Sequence, residues 1–263
     1  MKFSNIPQKV SQKITNMTQQ FYYSIMGSTV QCNICGYKAA KLESDDWHLY
    51  CGCPKCNTGL RHRLLWAALT FPDNKNLIAN KKVLHFAPDS AIKQLIKKTA
   101  AYYKTADFVS DSYYYSGIDY NIDMSAMPTI INKSFDCIIA CDVLEHIADD
   151  KAALKEVYRV LSDDGCCIFT IPQKDHTKNT VEDLSNLSPS DREKKFGVAD
   201  HWRIYGSDFK ELLESAGFQV NVIDETNFTD SFVAKHVLSP PIPSEKSLAT
   251  NFRKIYFGKK ITK

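Results

Sequence analysis

The second two-thirds of the chain alternates short apolar runs with segments in which apolar residues recur three and four positions apart. The apolar runs predict buried strands: KKVLHF (81–86), DFVSD (107–111), SFDCIIAC (134–141), CCIFTIP (166–172), FQVNVI (218–223) and KIYFG (254–258). The periodic segments predict helices: AIKQLIKKTAAYY (91–103), DDKAALKEVYRVLS (149–162) and SDFKELLESAGF (207–218). This alternation predicts an α/β fold, with a doubly wound, mostly parallel sheet covered by helices on both faces.

The first 60 residues follow a different pattern, with five of the nine cysteines between positions 32 and 56. Four of them form two C-x2-C pairs, which are Cys32 with Cys35 and Cys53 with Cys56. Two such turns can build a tetrahedral thiolate cage for Zn²⁺, and four thiolates leave no open position, so the zinc would be structural. Cys51 would be a spare thiol, and His48 or His62 could replace a ligand. The alternative is a loop-rich module of reduced, structural cysteines.

The composition indicates a cellular compartment but says little about binding partners. The 263 residues carry a formal net charge of +3, which is weak evidence for an anionic partner. No apolar run approaches the roughly 20 residues that span a bilayer, and the N-terminus lacks the apolar core of a signal peptide. We therefore expect a cytoplasmic protein without a transmembrane segment, in which clustered cysteines bind metal rather than form disulfides. The basic ends of the chain, including NFRKIYFGKKITK, are interpreted as solvated.

These patterns divide the chain into three predicted parts. They are an N-terminal helical extension (1–30), a zinc-knuckle module (31–60) and an α/β domain (61–263). The segment RHRLLW, which starts at Arg61, is expected to begin an amphipathic helix. Its basic triplet, Arg61 to Arg63, is expected to face the substrate or to brace the zinc module against the α/β domain.

The segment from Met127 to Pro172 resembles the core of the class I S-adenosylmethionine-dependent methyltransferases. The matching features are the apolar strand SFDCIIAC, the loop DVLEHI, the helix ending in YRVL and the strand CCIFTIP. With its cysteine pairs, RHRLLW and DHWRIYG, the chain also resembles a bacterial subgroup that carries an N-terminal four-cysteine module. The resemblance implies a seven-stranded Rossmann-like sheet, S-adenosylmethionine as cofactor and a small zinc-ribbon-like module.

The resemblance also implies residues for the cofactor, since such sheets bind ligands beyond the carboxyl ends of their strands. Asp111 is expected to accept hydrogen bonds from both ribose hydroxyls, with Asp107 and Asp119 as competitors. Asp123 would read the adenine amino group, with Met124 against the ring. The other expected contacts come from the first loop and from the loop DVLEHI, and they are His85, Ala87, Asp89, Cys141, Asp142 and His146. The first loop, HFAPDSA, departs from the family because it contains no glycine.

The segment FGVADHWRIYG (196–206) is expected to supply the catalytic groups. His201 is the predicted general base, because imidazole titrates near neutral pH. Asp200 would orient His201, Arg203 would pair with an anionic group of the acceptor, and Tyr205 would stack or donate a hydrogen bond. The alternative for His201 is a packed, hydrogen-bonded loop histidine.

Three functions follow. The first is methyl transfer to an oxygen or nitrogen atom of a small-molecule or glycan (sugar-containing) acceptor. The second is an RNA methyltransferase that grips nucleic acid with the zinc module, although Lys38, Lys41 and Lys55 are balanced there by acidic residues. The third is a non-catalytic zinc-containing adaptor, which the missing glycines favour. The sequence leaves the acceptor and the oligomeric state open.

Overall fold

The computed structural model describes residues 27–72, 74–108 and 117–261. Most of the predicted N-terminal extension and Asp111 therefore lie outside the described residues. Within those three ranges, no helix combines the length and the apolar character needed to cross a membrane.

Seven strands form one sheet in the order β10-β11-β7-β6-β3-β4-β5. Their bounds are Lys82–Phe86 (β3), Tyr102–Asp107 (β4), Tyr120–Asn121 (β5), Phe135–Cys141 (β6), Leu161–Thr170 (β7), Phe218–Ile223 (β10) and Ile255–Lys260 (β11). Only β11 runs antiparallel to its neighbours, β7 and β10. The predicted seven-stranded, mostly parallel sheet is therefore confirmed.

Two small hairpin-like pairs lie outside this sheet. Val30–Gln31 (β1) pairs with Lys38–Ala39 (β2), and Val181–Glu182 (β8) pairs with Arg203–Ile204 (β9), both antiparallel. The helices among the described residues are Leu60–Thr70 (α1), Ser90–Thr99 (α2), Asp150–Val160 (α3), Pro189–Phe196 (α4), Phe209–Ser215 (α5) and Asp230–His236 (α6). Short 3₁₀ turns cover Lys75–Leu77, Leu144–His146 and Glu225–Asn227.

The central sheet has a hydrophobic core on each face because successive side chains of a strand point to opposite sides. In β3, for example, Leu84 and Phe86 belong to one core, whereas Val83 belongs to the other. The four cysteines of the central strands are fully or almost fully buried in these cores, as expected for small core residues: Cys137, Cys141, Cys166 and Cys167.

Some predicted boundaries are wrong. The helix predicted to reach Tyr103 ends at Thr99, because Tyr102 and Tyr103 already pair with Lys82 and Val83 of β3. The second parallel strand thus precedes the predicted DFVSD and ends at Asp107. Sheet pairing overrides the helical spacing of this segment.

Helix α1 also departs from its predicted character. It is buried around most of its circumference, including His62 and Arg63, rather than amphipathic. Arg63 has no exposed surface and donates to the carbonyls of Cys51, Thr58 and Val237, among others. Arg63 therefore ties the cysteine module to the α/β domain, whereas Arg61 lines the cavity described below.

Candidate active site and cysteine centre

The strand order reverses between β3 and β6, which is where doubly wound sheets bind ligands. Ala87 directly follows β3, and Asp142 directly follows β6. Both residues have a positive φ, of 42° and 54° respectively, a conformation that favours glycine and that clusters at functional sites in other residues. The glycine-free first loop therefore makes, with Ala87, the turn for which other sequences use glycine.

Asp142 is the most heavily paired acid of this crevice. It forms ion pairs with Arg61 at 3.5 Å and with Arg253, and it accepts a hydrogen bond of 2.8 Å from the Thr170 hydroxyl. Burial alone would raise the pKa of Asp142, but Arg253, Arg61 and Thr170 outweigh it and lower the pKa to about 2. Asp142 is thus ionised at neutral pH and holds two guanidinium groups at the end of β6.

Asp89 lies on the other side of Arg61. The His62 Nε2 atom is 2.5 Å from the Asp89 carboxylate, and the Arg61 guanidinium is 3.5 Å away. Burial by itself raises the pKa of Asp89, but the hydrogen bond from His62, together with the charges of His62, Arg61 and His85, outweighs this effect and lowers the pKa. The helix that follows the cysteine pairs therefore delivers Arg61 between the carboxylates of the first and fourth parallel-strand loops, Asp89 and Asp142.

Three other residues predicted to contact the cofactor are buried. His85 lies within β3, where its Nδ1 atom is 2.9 Å from the Tyr103 hydroxyl, and burial lowers its pKa to about 3. Met124 is 2% exposed and Cys141 8% exposed. Each is packed in a core here, so their cofactor contacts stay predictions.

The acids near the adenine end are differently engaged. Asp107 ends β4 and accepts a hydrogen bond from the Phe108 amide at 2.9 Å, while burial raises its pKa. Asp119 accepts hydrogen bonds from Lys104 and Thr105. Asp123 accepts hydrogen bonds from Ser125 through one carboxylate oxygen only.

A cavity of about 410 Å³ opens beside these loops. Its wall combines the cysteine module, the loop after β6, the segment before β9 and the segment before β11. Its lining includes Trp47, His48, Arg61, Asp142, Glu145, His146, Phe196, His201, Leu248 and Arg253. Arg253 is 7% exposed, so the prediction that the basic C-terminal stretch is simply solvated is wrong at this residue.

The segment 200–205 is clamped onto the loop after β6. Arg203 donates to the carbonyls of Leu144, Ile147 and Ala148 and pairs with Glu182 at 2.6 Å. Arg203 has no exposed surface, so its predicted pairing with the acceptor is wrong. Tyr205 is also fully buried, and its hydroxyl donates to Asp150 rather than to a ligand.

The clamp brings Glu145, His146 and His201 together. The His146 and His201 rings meet edge to face with centroids 4.6 Å apart. Asp200 lies 3.0 Å from the His146 Nδ1 atom, so it contacts His146 and not the predicted His201. His201 is 6% exposed, and burial, followed by the charge of His146, lowers its pKa to about 4. Burial, followed by the charge of Asp142, raises the pKa of Glu145 to about 8.

Two residues of the cavity wall, Glu145 and Arg253, were not among the predicted site residues. Glu145 stands inside DVLEHI, where its apolar neighbours suggested packing, and Arg253 stands in a basic stretch typical of a solvated end. Charged residues within an apolar motif, flanked by a loop, were the available clue.

The four paired cysteines form a compact centre. The Sγ atoms of Cys32 and Cys56 lie 3.7 Å apart, and those of Cys35 and Cys53 lie 3.6 Å apart. All four sulfurs lie within 4.8 Å of one another. Sulfurs around a tetrahedral zinc with bonds of about 2.3 Å stand about 3.8 Å apart, so the spacing fits this ion.

The other candidate ligands are turned elsewhere. The Cys51 thiol donates to the Leu49 carbonyl, and His62 accepts from the Gly59 amide while it pairs with Asp89. His48 lines the cavity. The centre therefore offers the four predicted cysteines and none of the alternatives.

Comparisons with known proteins agree with this geometry. Residues 94–169 match the family model described as a methyltransferase domain. No curated protein matches the chain.

Solved structures share the fold at low identity. An S-adenosylmethionine-dependent methyltransferase from Mesorhizobium loti is 16% identical with a TM-score of 0.50, over 77% of this chain and all of that one. A chain from the complex between the Haloferax volcanii Trm112 methyltransferase activator and a methyltransferase is 13% identical with a TM-score of 0.50, over 77% of this chain and 91% of that one. The chain is thus similar to S-adenosylmethionine-dependent methyltransferases in its fold, and residues 94–169 are similar to a methyltransferase domain in sequence.

Proposed function

We propose that the enzyme transfers a methyl group to an oxygen or nitrogen atom of a small-molecule or sugar-containing acceptor held in the 410 Å³ cavity. The observation that carries this proposal is the position of the cavity, which shares Arg61 and Asp142 with the strand-end crevice and reaches the buried His201. A cavity of this size suits a small ligand. Trp47 and Phe196 on its wall offer aromatic faces for an apolar or sugar ring.

The residues around the switch point fit the cofactor, which would supply a methyl group already activated on a sulfonium. Ala87, Asp89, Asp123 and Asp142 are proposed to line its site. Asp107 takes the place proposed for Asp111 as the ribose carboxylate, because it ends β4 and one carboxylate can accept hydrogen bonds from two hydroxyls. Arg61 is proposed to hold the carboxylate of the amino-acid end.

His201 is proposed to accept the acceptor's proton. Its depressed pKa keeps the ring neutral at neutral pH, and its buried Nδ1 atom has no hydrogen-bond partner among the described residues. A neutral imidazole with a free lone pair can take a proton. Asp200 and His146 would stand behind it as a charged pair at the cavity wall.

The cysteine centre is proposed to hold one structural Zn²⁺ through Cys32, Cys35, Cys53 and Cys56. The two pairs form matching turns, in which Gly36 and Asn57 donate to the carbonyls of Cys32 and Cys53. Both Gly36 and Asn57 have a positive φ. The proposed division into a cysteine module (31–60) and a methyltransferase domain (61–263) follows these turns, while the clamp of Arg63 holds the two parts together.

Calorimetric titration with S-adenosylhomocysteine tests the cofactor site. We expect micromolar binding to the wild type and a loss of at least tenfold in Asp107→Ala, with Asp111→Ala as the competing variant. Asp163→Asn, which removes an exposed acid paired with Lys133, is the matched control and should bind like the wild type. A folded wild type that binds no S-adenosylhomocysteine would contradict the proposal and favour the adaptor function.

A further inference from the structure

We infer that Glu145, His146 and His201 form a second metal site, for one divalent transition-metal ion, in the wall of the cavity. One potential ligand atom from each of the three side chains lies within 4.8 Å of the other two. Two imidazoles and one carboxylate are a common ligand set for Zn²⁺, Fe²⁺ and Co²⁺, whereas Mg²⁺ and Ca²⁺ prefer oxygen ligands. This site is separate from the four-cysteine centre.

The strongest evidence for a bound cation comes from Glu145. Its side chain has no exposed surface, and neither carboxylate oxygen has a hydrogen-bond partner among the described residues. A buried polar group without a partner is costly, and a buried carboxylate is normally paired or bound to metal. The buried Nδ1 atom of His201 also lacks a partner, so two unsatisfied ligand atoms border one cavity.

His146 has the supporting contact that metal-binding histidines usually have. Its Nδ1 atom lies 3.0 Å from the Asp200 carboxylate, which fixes the ring and makes Nε2 the ring nitrogen that would bind the ion. A carboxylate behind a histidine is the typical outer-shell partner of a metal ligand, because it orients the ring and raises its basicity. Asp200, which was expected to orient His201 as a general base, would instead orient His146 as a ligand.

The fold holds the three side chains in place from two separate segments. The Trp202 amide donates to the Glu145 carbonyl at 2.8 Å, and Arg203 binds the carbonyls on either side, at Leu144 and Ile147. His201 is therefore fixed next to Glu145 by main-chain contacts that do not depend on an ion. Such preorganisation is what a metal site requires of its scaffold.

Three protein ligands leave at least one coordination position open, as in catalytic zinc sites. The next step rests on the proposed function. The open position would bind the hydroxyl oxygen of the acceptor, so the methylated atom would be an oxygen and not a nitrogen. The ion would lower the pKa of the hydroxyl, and the proton would leave to solvent through the open cavity. This would replace the role proposed above for His201, whose lone pair would then be bound to the metal. The oxygen–carbon bond then forms as the sulfur–methyl bond of the cofactor breaks, and S-adenosylhomocysteine is the second product.

The test is a Co²⁺ titration, followed by absorption spectroscopy, of the full-length protein loaded with one equivalent of zinc, which the four thiolates bind in preference to the three-ligand site. Cobalt on thiolates absorbs strongly through sulfur-to-metal charge transfer, whereas cobalt on nitrogen and oxygen ligands shows only weak bands, so the two centres are distinguishable. We expect one equivalent of Co²⁺ with weak bands. Glu145→Gln and His146→Asn should each weaken its binding at least tenfold, whereas the matched control His176→Asn, which changes an exposed histidine elsewhere, should not.

The proposal is overturned if the wild type binds no Co²⁺ outside the thiolates, or if both variants bind it with wild-type affinity. The His146 side chain is 36% exposed, so His146→Asn tests the site even where Glu145→Gln fails to fold. S-adenosylhomocysteine binding is measured on the same samples. Loss of that binding in the wild type would contradict the proposed function alone, whereas loss of Co²⁺ binding would contradict the metal site alone.

Discussion

Ala87 occupies a backbone conformation that L-residues other than glycine adopt at a cost of about 1 kcal/mol or more. It does so at the turn after β3, where its φ is 42° and its amide donates to the Ala106 carbonyl at 2.9 Å. The turn is therefore held by the neighbouring strand and not by the residue type. This explains how a loop without glycine can keep the geometry of a ligand-binding turn.

A glycine at this position should relieve the strain. We expect Ala87→Gly to raise the free energy of unfolding by up to about 1 kcal/mol, measured by urea denaturation. Ala100→Gly is the matched control, because Ala100 has a φ of −73° that suits any residue and its loss should destabilise by about 0.5–1 kcal/mol. Equal effects of the two substitutions would contradict a strained turn.

His85 makes stability depend on pH. Burial lowers its folded-state pKa to about 3, below the unfolded value of about 6.5, so below pH 6.5 the unfolded chain binds a proton that the folded protein excludes. Stability is thus fully present above that pH and is lost as the pH falls. Between pH 7.5 and 5.5 the loss from this residue should be about 1.4 kcal/mol.

The measurement is the free energy of unfolding at both pH values in the wild type and in His85→Gln, in which this contribution disappears. Tyr103→Phe is the control, since it removes the hydrogen bond to His85 but leaves the ring buried. It should be less stable by about 1 kcal/mol at both pH values and keep the pH dependence. An unchanged pH dependence in His85→Gln would contradict this account, because it would show that the ring binds its proton equally well in the folded and the unfolded chain.

At the scale of elements, the contacts that Arg203 makes between the segment 200–205 and the loop after β6, called the clasp below, determine the shape of the site. Arg203 makes this clasp with three carbonyls and two carboxylates, and its side chain is 1% exposed. Removing one partner of such a buried network typically costs about 3–5 kcal/mol. The residue acts on the site by positioning His201 against Glu145.

We expect Arg203→Gln to destabilise the protein by about 3 kcal/mol and to weaken the edge-to-face contact of the two histidine rings. Thermal unfolding and the line widths of the histidine ring protons in NMR spectra would report the two effects. Lys195→Gln removes a more exposed ion pair with Asp183 nearby and should cost less than about 1 kcal/mol. A loss of similar size in both variants would contradict the role of the clasp.

The strands of the central sheet could be predicted from the sequence, whereas the role of the segment around Arg203 could not. The sheet followed from apolar strands such as SFDCIIAC, because a strand buried on both faces must be apolar throughout. The charged segment around Arg203 could not be interpreted in the same way. A buried arginine and a catalytic one look identical in sequence, and only the carbonyl groups that surround Arg203 decide between them. Likewise, the partner of Asp200 is His146, which is 54 residues away in sequence, so it depends on the distance between two separate loops.

At the scale of the whole molecule, the cysteine module is part of the site. It lines the cavity through Trp47 and His48, and the helix that follows it carries Arg61 to Asp89 and Asp142. The His236 ring also contacts the Gln31 carbonyl at 2.8 Å, so the module is anchored to α6 as well. Two parts that look independent in sequence therefore depend on one another.

Loss of the proposed zinc should consequently weaken binding at the proposed cofactor site, although the two sites do not share residues. We expect Cys53→Ser to reduce the zinc content and to weaken S-adenosylhomocysteine binding at least fivefold, because Arg61 loses its fixed position. Cys51→Ser is the matched control, since Cys51 is buried beside the centre but is not one of its four thiols. It should keep both the zinc and the affinity. Wild-type affinity in a zinc-free variant would show that the module is dispensable for the cofactor site.

The four-cysteine centre makes the proposed enzyme sensitive to oxidation, whereas the cysteines of the central sheet are buried. Cys35 and Cys56 are only partly buried, so peroxide or hypochlorite can reach them, and oxidation of one thiolate would release the ion. Arg61 and the cavity wall would then be disordered together. We therefore expect the proposed methyl transfer to stop under oxidative stress while the central sheet stays folded, and to return after reduction in the presence of zinc.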